Sequence, residues 1–140
     1  KEYNLSMEKT FIDKLAFIEI QNKKILETKS FGKDKWYIPG GKREGNESDK
    51  DALIREIKEE LSVDLIPETI KYFGTFESIA HGKSEGTMVR MTCFQAEFKG
   101  ELTPSAEVEK MDWFDYRRID EVSPVDQLIF EDLKSKGLIE

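Results

Sequence analysis

One cysteine, Cys93, and one histidine, His81, are all this chain has of two chemically versatile residue types. A lone cysteine cannot close a disulfide within the chain, so no cross-linked framework holds the fold. Cys93 stands in a strand-like run and is expected to pack as a small core residue. A lone histidine leaves a histidine-built zinc site or a Ser-His-Asp triad with little support. No apolar run is long enough to span a bilayer, and no signal-peptide pattern opens the chain; a cytoplasmic location is the expectation. Positive charge is also short. With 22 Lys and Arg against 29 Asp and Glu, the net charge is −7. That balance argues against general affinity for duplex nucleic acid or anionic membranes. It does not exclude a small polyanion, because bound metal ions would reverse the local field. No repeat, low-complexity segment or second linker divides the 140 residues, so one domain spanning 1–140 with one sizeable core is expected.

The informative residues are concentrated between Trp36 and Val63, WYIPGGKREGNESDKDALIREIKEELSV. Trp36 to Ile38 form a short apolar run that ends in Pro39-Gly40-Gly41. A polar loop with Glu44 and Gly45-Asn46 follows, and a helix is expected from Glu47 or Ser48 to Leu61. At roughly 100° per residue, Glu56, Glu59 and Glu60 fall within an arc about 100° wide. Leu53, Ile57 and Leu61 form an adjacent apolar stripe. Carboxylates so spaced repel by a few tenths of a kcal/mol per pair on an exposed helix. A Glu-rich helix in an acidic protein is usually a solvated face. The glycine pair argues for more, because Gly40 and Gly41 let the backbone turn sharply and come close to a ligand. Oxygen-only ligands suit hard cations, Mg²⁺ first and Mn²⁺ second.

Gly41 to Val63 reads G-x5-E-x7-R-E-U-x-E-E-x-S-U, with U an apolar residue. It closely resembles the Nudix box, G-x5-E-x7-R-E-U-x-E-E-x-G-U, the signature of the MutT-like Nudix pyrophosphohydrolases. Ser62 is the one departure, in a place where glycine usually takes a left-handed conformation; serine could do so at a cost near 1 kcal/mol. The resemblance implies a Nudix α/β/α sandwich, with a mixed β-sheet between the box helix and a C-terminal helix. It further implies Mg²⁺-dependent cleavage of a pyrophosphate bond, with Mn²⁺ as second choice, in a nucleoside di- or triphosphate. Glu56, Glu59 and Glu60 match the family's metal ligands, completed by the Gly40 carbonyl. Arg55 and Glu47 match the pair that braces the helix. Glu56 is the first choice for general base, with Glu107 or Glu109 as the fallback. Gly41 and Lys42, in the family's PGGK form, would contact phosphates. Asp126 would read the nucleobase edge, or else only favour a helix N-terminus with its charge.

The resemblance leaves other substrates open, namely a nucleotide sugar or a dinucleoside polyphosphate. Family members acting on ADP-ribose tend to carry a proline well downstream of the box, and none lies between Pro67 and Pro104. Members acting on dinucleoside polyphosphates tend to have a tyrosine in a similar place, which the His81 region lacks. A non-catalytic nucleotide sensor on the same scaffold would be expected to have lost carboxylates, yet all three are present. Decapping of RNA ends is disfavoured by the acidic charge. Partners are then a small nucleotide, with no duplex nucleic acid and no membrane; a homodimer stays open.

Around the box the periodicity predicts further elements. Lys1–Lys9 reads as a loosely held arm. Thr10–Gln21 reads as one strand, with Leu15, Phe17 and Glu19 facing one way and Ala16, Ile18 and Ile20 the other. Asn22-Lys23 is a turn candidate leading into a returning strand, Lys24–Ser30. Trp36–Ile38 is expected to be a short strand, and Asp64–Thr69 a connector. Ile70–Ala80 reads as a strand with a bulge at Gly74, and Thr87–Phe98 as its hairpin partner across the loop His81–Gly86. A short strand is expected over Glu107–Phe114. Ser123-Pro124 opens a second helix with Leu128, Ile129 and Leu133 inward, ended by Gly137.

Overall fold

The computed structural model describes residues 9–80 and 82–140. The expected arm falls outside them except for Lys9, and so does His81. The first strand, β1 (Thr10–Phe17), is central. It runs parallel to β7 (Thr87–Gln95) and antiparallel to the two-residue β4 (Gly40–Gly41). With β6 (Lys71–Ile79) on the far side of β7, these make a mixed sheet in the order β4-β1-β7-β6. The β6–β7 hairpin carries its register shift between Tyr72 and Gly74, where the glycine signalled a bulge.

The expected strand over Thr10–Gln21 is broken. After Phe17 the chain leaves β7 and starts β2 (Ile20–Gln21), which pairs with β3 (Lys24–Ser30). The turn between them holds Asn22 and Lys23 at φ 53° and 61°, the left-handed pair that suits a two-residue hairpin. β3 then pairs with β9 (Val108–Phe114) to form a separate three-stranded antiparallel sheet. Thr87–Phe98 also splits, into β7 and β8 (Phe98–Lys99), the latter paired with β5 (Asp64–Leu65).

Trp36–Ile38 is not a strand. It makes only isolated bridges, Tyr37 to Thr28 and Trp36 to Val122. The physical reason lies in the donors. Ile38 N–H is taken by the Asp126 carboxylate, Pro39 has none, and Gly40 N–H is taken by Glu60. Tyr37 exchanges two backbone bonds of 2.8 Å with Thr28 of β3, but the next N–H groups go to side chains, so the pairing stops at that one residue.

Two helices cover opposite faces of the mixed sheet. The box helix, α1 (Asp49–Leu61), is capped by the Ser48 hydroxyl, which accepts from Asp51 N–H at 3.1 Å. Ala52, Leu53, Ile57 and Leu61 are buried beside Leu15 and Phe17. Burying each large aliphatic side chain contributes about 1.5–3 kcal/mol. Ser62 ends the helix at φ 64°, ψ 24°, so serine takes the left-handed place that glycine usually fills.

α2 (Pro124–Ser135) packs with Ala16 and Ile18, the alternate residues of β1. Its inward residues are Val125, Ile129, Phe130 and Leu133. Leu128, expected inside, is 43% exposed because it lies off that stripe. Ser123 occupies the N-cap position without a side-chain capping bond. The C-terminus closes as a Schellman turn: Gly137, at φ 73°, donates to Lys134 C=O and Leu138 to Leu133 C=O.

Candidate functional site

α1 and the Pro39-Gly40-Gly41 turn meet at β1. Gly40 has φ 152°, and a Cβ there would strike the Leu15 carbonyl oxygen. A Cβ on Gly41 would overlap the Glu56 carboxyl. The glycine pair therefore lets the box glutamates lie directly against main chain, and Gly40 N–H donates to Glu60 Oε1 at 3.1 Å.

Arg55 and Glu47 brace this arrangement. Arg55 Nε and Nη2 donate to the two oxygens of Glu47 at 2.7 and 2.9 Å, and Nη2 also donates to Lys42 C=O at 3.0 Å. Glu47 accepts a further bond from Glu44 N–H at 2.8 Å, which closes the loop on the helix. The arginine, then this backbone bond, hold the Glu47 carboxyl down at about 2.

The three box glutamates are not equivalent. Glu60 is 7% exposed, and burial pushes its carboxyl up to about 8 against the pull of Gly40 N–H; Glu56 and Glu107 nearby push it further. Burial likewise raises Glu56, opposed by Arg55. Both line a cavity of about 600 Å³ together with Gly40, Gly41, Lys42 and Glu107. Glu59 points elsewhere. Its side chain is 52% exposed and lies 3.4 Å from Arg55 Nη1 in an i,i+4 ion pair. The shared arc of three carboxylates thus divides into two that face the cavity and one that faces its rim. Among the described residues no three acids, histidines or cysteines stand together as a ready-made metal cage. Glu109 lies exposed on β9 and does not line the cavity.

Asp126 stands in the first turn of α2, where an acid suits the helix N-terminus, but it does not line the cavity. It is 0% exposed, and its Oδ2 accepts Ile38 N–H at 2.8 Å from a segment far away in sequence. Two further residues belong here that the motif did not indicate. Lys14 lines the cavity from β1, half-buried, its charged form disfavoured by burial and favoured by Asp126. Glu27, on β3, is fully buried beside Asp126. Strand alternation could have found both, since Lys14 shares a face with Ile12 and Ala16, and Glu27 shares one with Ile25.

The cavity wall is otherwise mixed. Lys33 and Lys83 add positive charge to Lys14 and Lys42, while Ile38, Val89, Met91 and Val125 give an apolar inner lobe. An acidic chain thus concentrates cations around one opening, next to carboxylates suited to a hard cation. The donor set is all oxygen, and the raised Glu56 and Glu60 are groups whose mutual repulsion a divalent ion would relieve.

Comparison with known proteins agrees with this geometry. The family model of the NUDIX domain matches residues 15–133. An 8-oxo-dGTP diphosphatase of Proteus vulgaris is 34% identical over 68 residues, 49% of this chain and 56% of that protein. An mRNA-decapping enzyme subunit 2 of Saccharomyces cerevisiae is 31% identical over 96 residues, 69% of this chain but 10% of that one. The chain thus spans about half the length of the first and a tenth of the second. The crystal structure of a MutT protein from Methanosarcina mazei Go1 superposes with a TM-score of 0.74, at 19% identity, covering 93% of this chain and 97% of that one. With the box residues on one helix, the mixed sheet between two helices and a family match over most of its length, this chain belongs to the NUDIX domain family and has a MutT-like fold.

Proposed function

We propose that the protein is a Mg²⁺-dependent hydrolase that cleaves the pyrophosphate bond of a nucleoside di- or triphosphate. One observation carries this reading. Glu56 and Glu60 lie against a two-glycine turn in a cavity that also gathers Lys14, Lys33, Lys42 and Lys83. Glu56, Glu60 and, once released from Arg55, Glu59 would hold the ion with the Gly40 carbonyl. When bound, the ion supplies charge neutralisation on phosphoryl oxygens and a water of lowered pKa. Arg55 and Glu47 keep α1 and its preceding loop in one register. Lys42 and the neighbouring lysines would orient the phosphates by charge. Glu56 would take a proton, since burial raises its affinity for one; Glu107, which lines the same cavity and pushes the Glu56 carboxyl further up, is the alternative base. Asp126 would accept from the far end of the substrate at the inner lobe, with Ser123 and Val125 giving way to admit it.

The name of the Proteus vulgaris relative favours a nucleoside triphosphate. The name of the Saccharomyces cerevisiae relative favours a second reading, hydrolysis at a capped RNA end. The net charge of −7 weighs against an extended RNA contact. A phosphate-release panel, coupled to inorganic pyrophosphatase and run with Mg²⁺, decides between them. It should include nucleoside di- and triphosphates, nucleotide sugars, dinucleoside polyphosphates and a capped RNA. Turnover of nucleoside triphosphates above the rest is expected. Strong turnover of a nucleotide sugar or capped RNA with none of any nucleoside triphosphate would end the assignment. Binding without any turnover, unchanged in Glu59→Gln, would make the protein a sensor.

A further inference from the structure

Behind the inner lobe of the cavity two acids are buried with no ion pair to a basic side chain among the described residues. Glu27 and Asp126 are each 0% exposed. Asp126 Oδ2 accepts Ile38 N–H, but Asp126 Oδ1, both oxygens of Glu27 and the Ser123 hydroxyl find no partner when both acids are taken as ionised. The Thr28–Tyr37 bridge sets Glu27 beside the Tyr37–Ile38 main chain, where Asp126 accepts Ile38 N–H, so the two carboxyl groups are neighbours. Two carboxylates only accept, so that contact is empty unless one of them carries a proton. Buried polar atoms are rarely left unsatisfied, and a single proton between these groups resolves the conflict.

The surroundings decide which acid keeps it. Burial raises the Asp126 carboxyl to about 7, but Ile38 N–H and Lys14 on β1 oppose this and favour its anion. Glu27 has only Arg118 on its side, at a distance, and that guanidinium is already engaged by Asp112 and Glu121. The other titratable groups within electrostatic range of Asp126, Tyr37 and Cys93, are neutral. Burial and the neighbouring anion both push the Glu27 carboxyl toward its neutral form. A neutral Glu27, an anionic Asp126 and a cationic Lys14 leave this inner cluster without net charge, which suits its apolar setting.

We propose that Glu27 is a positioning residue that carries the proton of this pair and donates it to Asp126, keeping Asp126 an anion aimed at the far end of the substrate. The proposal rests on the reading that a nucleotide enters with its base toward the inner lobe. Asp126 then serves as a fixed acceptor for an N–H of the base, and Lys14 beside it as a donor. Glu27 itself does not touch the substrate; it acts through Asp126.

Two variants and two measurements test this. Glu27→Gln keeps a donor toward Asp126 through its amide, whereas Glu27→Leu fills the same space without one. The infrared difference spectrum of wild type minus Glu27→Gln at pH 7 is expected to show the carbonyl stretch of one un-ionised carboxyl, beyond the Glu60 band common to both proteins. In steady-state kinetics with the best nucleotide of the panel, Glu27→Leu is expected to raise KM about tenfold with kcat changed less, while Glu27→Gln restores KM to within about threefold of wild type. A core role alone would leave KM equal in the two variants. A difference spectrum without that stretch, or a Glu27→Leu enzyme with the wild-type KM, overturns the proposal. The infrared reading needs no substrate. If it succeeds while no nucleotide is turned over, the substrate reading fails and the proton on Glu27 stands.

Discussion

The acids of α1 and those gathered at the start of α2 lie on opposite faces of one sheet and are handled in opposite ways. On α1, Glu47 and Arg55 are locked in a two-point ion pair, and Glu56 and Glu60 open onto a cavity. At α2, Glu27 and Asp126 are fully buried and make no ion pair to a basic side chain among the described residues. The first set spreads across the scale of acidity, Glu47 held down at about 2 and Glu60 pushed up to about 8, within one helix and its leading loop. The second is pushed in one direction only. The contrast shows that a carboxylate's partner and depth, and not its residue type, set the job it can do.

The comparison breaks first if the cavity acids are not the working ones. Glu56→Gln and Glu60→Gln are each expected to lower kcat by about a hundredfold or more, because each removes a charge that would hold the ion. Wild-type kcat in either variant would dismiss α1 as the site. Chelation of divalent metal should abolish turnover to a similar degree, with recovery on adding Mg²⁺.

Arg55→Lys sharpens the α1 side. Lysine cannot make the two parallel bonds to Glu47. A loss of about 10- to 100-fold in kcat/KM is expected, and the Glu47 carboxyl, followed by carbon-detected NMR, should titrate at higher pH than in the wild type.

Glu60 also predicts a pH dependence of stability without metal. Its folded-state value is raised, so the folded protein holds the proton more tightly than the unfolded chain. Stability is then present below the unfolded value of 4.5 and is lost as pH rises from there to about 8. Thermal melts of Glu60→Gln in chelator should therefore match wild type near pH 4.5 and exceed it at pH 8. Equal melting temperatures at both pH values would show that Glu60 is not buried as an acid.

The smallest effect concerns the end of α1. Ser62→Gly should stabilise the protein by about 0.5–1 kcal/mol, since glycine reaches φ 64° without the steric cost serine bears. Chemical denaturation measures it. A loss of stability would mean that the Ser62 hydroxyl contributes more than its backbone costs.

Much of the α1 side was legible because its residues are neighbours along one helix. The helix start near Ser48, Leu61 as its last residue and Ser62 beyond it follow from spacings of a few residues, and the family resemblance implied the Arg55–Glu47 pair. What spacing could not show is the direction in which Glu59 turns, because its angular position admits both the cavity and the rim, and the pull of Arg55 decides. The α2 side was less legible. Asp126 reads as a surface acid at a helix start, and Glu27 as an ordinary strand residue. Their meeting depends on β3 pairing with β9 and on the Trp36–Ile38 segment being held by Asp126.

From the amino-acid order alone come the family, the helix that carries the box, the turn at Asn22-Lys23, the bulge near Gly74 and the two-faced character of β1. These are local patterns, written in steric preference and periodicity over a dozen residues or fewer. Tertiary structure decided that Thr10–Gln21 changes sheets midway, that the Ile38 N–H goes to a side chain and ends the pairing begun at Tyr37, that Leu128 faces solvent, and that Glu27, Lys14 and Asp126 share one interior. Each of these depends on which distant group reaches a donor or a void first, and burial and hydrogen-bond competition across the folded chain settle it.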